Sequence, residues 1–216
     1  MTKVGIIGAS GMAGSAIYKL AEKNDDLKVT GIIRNEAKAK KVLGDQANLL
    51  VGDVLTMDEK LLADFDVIVD AFGTAPAQAA DQTKLAKKLV EIARKNKQRL
   101  IIILGAGSLH TGDDNHLFVE DIAKLPDSDA WINTPRQQLN ELNYLKEVND
   151  VDWLGISPSM TFEAGPASDG YILGKDNLLY NDKHESKTTS GTMAELVVSE
   201  IVKPEHSKER IAVANK

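Results

Sequence analysis

Gly8, Gly11 and Gly14 stand three residues apart in the run Gly8-Ala9-Ser10-Gly11-Met12-Ala13-Gly14, and the chemistry that this spacing serves is the holding of phosphate. Gly8 allows a sharp turn out of a strand, Gly11 lets backbone approach a pyrophosphate with no Cβ in the way, and Gly14 lets a helix pack closely on a sheet. The unpaired N–H groups of that helix's first turn then face the anion. Two further places have suitable residues. Arg34, with Lys38 one helical turn beyond, offers a guanidinium that holds a phosphate through two parallel hydrogen bonds. Ser108 and His110 offer a hydroxyl and an imidazole, the first suited to bonding a carboxamide or an acceptor carbonyl, the second to donating a proton. Their simpler readings are a loop-holding hydroxyl and a surface histidine.

Each group needs an element to position it. The apolar run Val4-Gly5-Ile6-Ile7 before the glycines reads as a strand, and Ser15 to Lys23 after them as a helix, the strand-turn-helix context of a dinucleotide site. Leu27 to Ile33 alternates as a second strand and ends at Arg34-Asn35. A carboxylate there would bond the 2′-hydroxyl of NAD and repel a 2′-phosphate; Arg34 makes NADP(H) the preferred cofactor over NAD(H). Asn48 to Val51 is a third strand, and Gly52-Asp53-Val54 follows it, where the Asp53 carboxylate either accepts from an adenine amine or serves a turn. A short helix over Asp58 to Ala63 precedes the strand Asp66 to Asp70. Its exit Ala71-Phe72-Gly73 is small enough to let backbone pass the cofactor's phosphate and ribose.

Gln78 to Lys97 carries a helical apolar stripe, and Leu100 to Leu104 is a continuous aliphatic strand buried on both faces. It empties into Gly105-Ala106-Gly107-Ser108-Leu109-His110, followed by a polar loop from Thr111 to Asn115. Trp131 to Val148 reads as a helix and Trp153 to Ile156 as a strand. Beyond it the pattern turns irregular; Tyr171 to Tyr180 reads as a hairpin turning at Lys175-Asp176-Asn177, before a helix over Thr192 to Val202 and a last strand over Arg210 to Val213. The expected fold is α/β, a doubly wound parallel sheet of the NAD(P)-binding Rossmann type, in one domain over 1–216. A small C-terminal elaboration, about 157–190, would cover the substrate.

Composition narrows the classes. The net charge is −6 and the lysine clusters at 38–41 and 87–88 fall on predicted helices, which argues against nucleic acid as partner. With no cysteine there is no disulfide framework, zinc-thiolate site or thiol nucleophile, and the scattered histidines predict no metal. No apolar run approaches membrane-spanning length and none resembles a signal peptide, so no membrane partner and a cytoplasmic location are expected.

The glycine loop, Arg34-Asn35, Gly52-Asp53-Val54, Asp70-Ala71-Phe72-Gly73, Leu104-Gly105-Ala106-Gly107-Ser108-Leu109 and Ile156-Ser157-Pro158-Ser159 occur in an order that resembles a known family. It is that of the atypical short-chain dehydrogenase/reductases known as NADH-flavin reductases, close to the NmrA-like and biliverdin reductase B-like proteins. The resemblance extends over nearly the whole chain. It implies that Gly8, Ser10, Gly11, Met12 and Ala13, with Ala9 in the same loop, surround the pyrophosphate. It also implies that Arg34 meets the 2′-phosphate, that Asp53 and Val54 flank adenine and that Ala71, Phe72 and Gly73 line the ribose and phosphate path. Leu104, Gly105, Ala106 and Pro158 would border the nicotinamide. His184 departs from the family, whose members often have glycine there.

Typical short-chain dehydrogenases exchange a proton through a Tyr-x-x-x-Lys pair on a helix. The one literal match, Tyr171 to Lys175, falls in the predicted hairpin, so no such relay is expected. Hydride transfer to a flavin (FMN or FAD) or a quinone needs little acid-base help, which makes an NAD(P)H-dependent reductase of such an acceptor the expected function. A non-catalytic redox sensor of NmrA type, acting through a protein partner, is the alternative. The partners expected are a small-molecule acceptor and, at most, a second copy of the chain.

Overall fold

In the computed structural model, which describes residues 1–216, the chain runs β1 (Thr2–Ile7), α1 (Met12–Ala21), β2 (Leu27–Ile33), α2 (Glu36–Leu43), β3 (Leu49–Val51), α3 (Glu59–Leu62) and β4 (Val67–Asp70). It continues as α4 (Ala80–Asn96), β5 (Arg99–Ile103), β6 (His110–Thr111), β7 (His116–Leu117), α5 (Phe118–Ile122), α6 (Asn133–Lys146) and β8 (Asp152–Pro158). The last part holds β9 (Thr161–Glu163), β10 (Tyr171–Gly174), β11 (Lys187–Thr189), α7 (Ser190–Val202) and β12 (Glu209–Asn215).

Eight strands form one sheet in the order β10-β12-β8-β5-β4-β1-β2-β3, all parallel except β10. The order reverses between β1 and β4, and in a doubly wound sheet a crevice opens at the carboxyl ends of the strands beside that switch. This is the Rossmann architecture that the alternating strands and helices predict.

Strand alternation sends side chains to two separate cores. Val67 and Val69 of β4, Ile101 of β5 and Leu154 of β8 face α1 and α7, where Ile17, Met193 and Val197 meet them. Ile68, Leu100 and Ile102 face the other way, onto Leu85, Leu89 and Ile92 of α4 and Leu142 and Leu145 of α6. Burial on both faces explains the continuous aliphatic run of β5.

The C-terminal part departs from its predicted form. Tyr171 to Tyr180 is no hairpin: β10 pairs antiparallel with β12, Tyr171 opposite Asn215 and Gly174 opposite Ala212, at the sheet edge. The returning segment pairs with β6 instead, His110 N–H donating to the Asp176 carbonyl at 2.7 Å and Leu178 N–H to the His110 carbonyl at 2.9 Å. The reason is an ion pair: Arg210, buried in β12, holds Asp176 at 2.5 Å and pulls the segment inward. Its guanidinium keeps the Asp176 carboxyl below the usual carboxylate range. The Thr111 to Asn115 loop joins a two-stranded ribbon, β6 with β7, and α5 follows with no counterpart in the sequence reading.

His184 explains its own departure from the family. Its φ is +60°, a left-handed conformation that costs a side chain about 1 kcal/mol and glycine little. His184→Gly is therefore expected to raise unfolding stability by about 0.5–1 kcal/mol in urea titrations.

Candidate cofactor cleft

Gly8 leaves β1 with φ +73°, and a Cβ there would run into the carbonyl oxygen of Ala71. The loop then closes on itself, Gly11 N–H donating to the Gly8 carbonyl at 2.8 Å. A Cβ on Gly14 would strike the same Gly8 carbonyl, so α1 sits directly on the loop, as a glycine at this position permits. No side chain caps α1, and its first-turn N–H groups open toward the crevice, the arrangement that receives a phosphate anion.

The crevice is a cleft of about 400 Å³ above the carboxyl ends of β1, β2 and β4. Its floor is the glycine loop, where Gly8, Ser10, Gly11, Met12 and Ala13 all face the space. One end is formed by Ile32 and Ile33 of β2 with Arg34, Asn35 and Lys38, and by Gly52 and Val54. Asn35 caps α2, its Oδ1 accepting from Lys38 N–H at 2.9 Å, which fixes Lys38 one turn from Arg34. The other end is formed by Ala71, Phe72, Gly73, Ile103, Leu104, Gln138 and Phe162. Asp70 closes β4 beneath it, Oδ1 accepting from Phe72 N–H at 2.9 Å.

Electrostatically the cleft is one-sided. Arg34 and Lys38 are the charged side chains on its walls, and neither forms an ion pair. The carboxylate nearest in sequence, Glu36, is held by Lys40 at 2.7 Å and so leaves both cations free. The residues present fit a dinucleotide: a backbone cradle that a Cβ would fill, an uncapped helix start, and two unneutralised cations at the end of the cleft beside β2.

Several of the predicted site residues stand outside these walls. Ala9 is buried against Gly31, and Asp53, outside the walls and exposed, accepts through Oδ1 from Leu55 N–H of its own loop at 3.0 Å. Gly105 and Ala106 lie behind Leu104, with the Gln138 side chain packed on Gly105, and Pro158 is buried at the end of β8 opposite Val213. Ser108 requires correction. Its hydroxyl is buried, donating to the Gly105 carbonyl at 3.1 Å and accepting from Arg210 at 3.3 Å, so it holds the loop and does not face an acceptor. His110 sits in the ribbon, Nδ1 bonded to the Asn115 carbonyl at 2.7 Å and away from the walls. Tyr171 and Lys175 lie at the sheet edge, where Lys175 approaches Glu209 at 3.6 Å.

Gln138 and Phe162 are wall residues that sequence reasoning missed. Gln138 falls within a predicted helix, on the face between its buried and exposed stripes, and that border position is the signal it offered. Phe162 lies in β9, which pairs with β11 in a small parallel ribbon over the cleft; it falls within the 157–190 segment expected to cover the site, although the sequence did not single it out.

Three comparisons bear on this site. The curated protein YwnB of Bacillus subtilis, itself uncharacterized, is 34% identical over 215 residues, covering 99% of this chain and 98% of YwnB. A crystal structure of a Lactobacillus casei protein superposes with a TM-score of 0.90 at 31% identity, covering 99% of both chains. Another, from Streptococcus pneumoniae and described as a candidate NADH-flavin reductase, superposes with a TM-score of 0.87 at 28% identity over the full length of both. No helix here is long and apolar enough to cross a membrane. The profile of the NAD(P)H-binding family matches residues 8–204, from the first glycine of the cradle to beyond α7, and the chain belongs to that family.

Proposed function

We propose that this protein is an NAD(P)H-dependent oxidoreductase that prefers NADP(H) and reduces a flat conjugated acceptor, a flavin or a quinone. The observation that carries the cofactor preference is the pair Arg34 and Lys38, both facing the cleft and both free of carboxylate partners. The acceptor class is supported by the opposite end. Ile103, Leu104, Phe72 and Phe162 form an apolar wall, with the Gln138 amide as its polar side chain. Such a wall suits a ring system better than a sugar or a charged acid. The relative described as a candidate NADH-flavin reductase points the same way.

A bound nicotinamide supplies the hydride. The chain's own part is to hold the phosphates on the α1 N-terminus, to anchor the 2′-phosphate at Arg34, and to keep water from the Leu104 and Phe162 end. No tyrosine, histidine or carboxylate faces that end, which agrees with a transfer that needs no side-chain acid.

The test is loss of the NADPH absorbance band on addition of FMN, FAD, riboflavin or a small quinone, with a no-acceptor control and a parallel binding titration. Steady turnover with at least one acceptor is expected. Tight NADPH binding without turnover on any of them would overturn the reductase reading in favour of a redox sensor.

A further inference from the structure

With the Ser108 hydroxyl drawn into its loop, the apolar end of the cleft keeps one polar side chain, Gln138. Its place is set by the backbone it rests on. α6 lies on the turn after β5 at two glycines: a Cβ on Gly107 would stand 2.9 Å from the Pro135 Cβ, and one on Gly105 would overlap Oε1 and Cδ of Gln138.

Gly105 has φ −102° and ψ 159°, extended backbone that any residue adopts, so its conformation does not call for glycine. What the missing side chain leaves room for is the Gln138 amide, which supplies all three of the atoms nearest that Cβ position. Pro135 and Leu142, three residues before and four after, are buried and fix this stretch of α6. The amide is thus seated at a defined point of the wall beside Leu104.

Seated there, it has no partner in the chain. Its neighbour Gln137 is engaged, the carbonyl accepting from Thr83 Oγ1 at 3.4 Å and Oε1 from Asn140 Nδ2 at 3.3 Å. Gln138 Oε1 and Nε2 make no such bond, and they are not sealed in the interior either: the buried side-chain polar atoms without partners are Gln98 Oε1 and Arg99 Nε. The Gln138 amide is open to the cleft. In a pocket lined by apolar side chains, a few polar groups of this kind fix the orientation of the ligand.

We propose that Gln138, seated on Gly105, recognises the carboxamide of the nicotinamide, Oε1 accepting from its amino group and Nε2 donating to its oxygen. An amide has an acceptor oxygen and a donor NH2, and a carboxamide has the same set, so each group satisfies the other. The apolar side chains of the wall hold a ring by contact and do not distinguish its two rotations. The amide does, and so decides which face of the ring is turned to an acceptor.

The inference rests on the cleft being a dinucleotide site, and the experiment separates the two. Dissociation constants are measured for wild type, Gln138→Leu and Gly105→Ala with three ligands. They are NADP⁺, its 3-acetylpyridine analogue, in which a methyl replaces the carboxamide amino group, and 2′,5′-ADP, which has no nicotinamide. Gln138→Leu is expected to weaken NADP⁺ about tenfold and 2′,5′-ADP less than about twofold. Gly105→Ala is expected to give the same pattern with an unchanged urea midpoint, because its methyl displaces only the far end of a flexible side chain. Wild type is expected to bind NADP⁺ about fivefold more tightly than the analogue, and Gln138→Leu to bind the two alike. Equal losses for NADP⁺ and 2′,5′-ADP, or the same discrimination against the analogue in wild type and Gln138→Leu, would overturn the proposal and leave the cofactor reading standing. A folded wild type that binds neither NADP⁺ nor 2′,5′-ADP would defeat the cofactor reading, and the proposal with it.

Discussion

Arg34→Glu is expected to weaken NADPH binding about 100-fold, close to 2.7 kcal/mol, while NADH changes by less than about threefold. The asymmetry has a geometric origin. Arg34 stands at the end of β2 on the cleft wall, exposed and unpaired, so its hydrogen-bonding fork is available to a phosphate without first breaking an internal bond. Lys38 remains in the variant and retains part of the attraction. A glutamate in place of Arg34 adds repulsion against the 2′-phosphate and offers NADH an acceptor for its 2′-hydroxyl. Binding titrations of both reduced cofactors measure the ratio. Equal losses for the two would remove Arg34 from the 2′-phosphate site, and the NADP(H) preference with it. Because the side chain is exposed, the wild-type advantage should also shrink as salt is raised.

Glu200→Ala should cost about 3–5 kcal/mol of stability and leave the dinucleotide affinity of the folded protein alone. Glu200 is buried in α7 and bonds in four directions: to Arg99 Nη2 at 2.9 Å, to the backbone N–H groups of Glu205 at 3.1 Å and His206 at 3.3 Å, and to His206 Nδ1 at 2.6 Å. Arg99, buried at the start of β5, has Asp152 at 2.6 Å as its other carboxylate, and its Nε has no partner. Truncating Glu200 leaves a guanidinium in the interior with half of its neutralisation, which is why breaking a buried pair costs more than the pair itself is worth. The cluster lies at the amino ends of the strands, away from the cleft. Urea unfolding measures the loss; a change below about 1 kcal/mol would mean that water reaches the site and screens it. Arg99→Met combined with Glu200→Leu is expected to recover most of the stability, since it removes both buried charges together.

The cradle was legible in the sequence because its causes are local. A strand, three glycines and a helix fall within some twenty residues, and each glycine is demanded by its immediate neighbours: Gly8 by its +73° φ, Gly14 by the Gly8 carbonyl. Arg34 was legible for a similar reason, since strand alternation fixes where β2 ends and hence which side chain stands at its carboxyl edge. The parallel order of the central strands came from the alternation of strands and helices, which chain connectivity enforces.

What the tertiary structure decided depends on residues far apart in the chain. The partner of β10 is β12, because Arg210 captures Asp176 and draws the segment from the hairpin its turn residues suggest. The same guanidinium reaches Ser108, 102 residues earlier, and takes that hydroxyl out of the cleft. Gln138 and Phe162 become wall residues because α6 and β9 arrive beside β5. Local pattern determined the phosphate cradle and the fold class, since both arise from backbone conformation and periodicity. The apolar end of the cleft was decided by packing, since burial and long-range pairing set which side chains face the space.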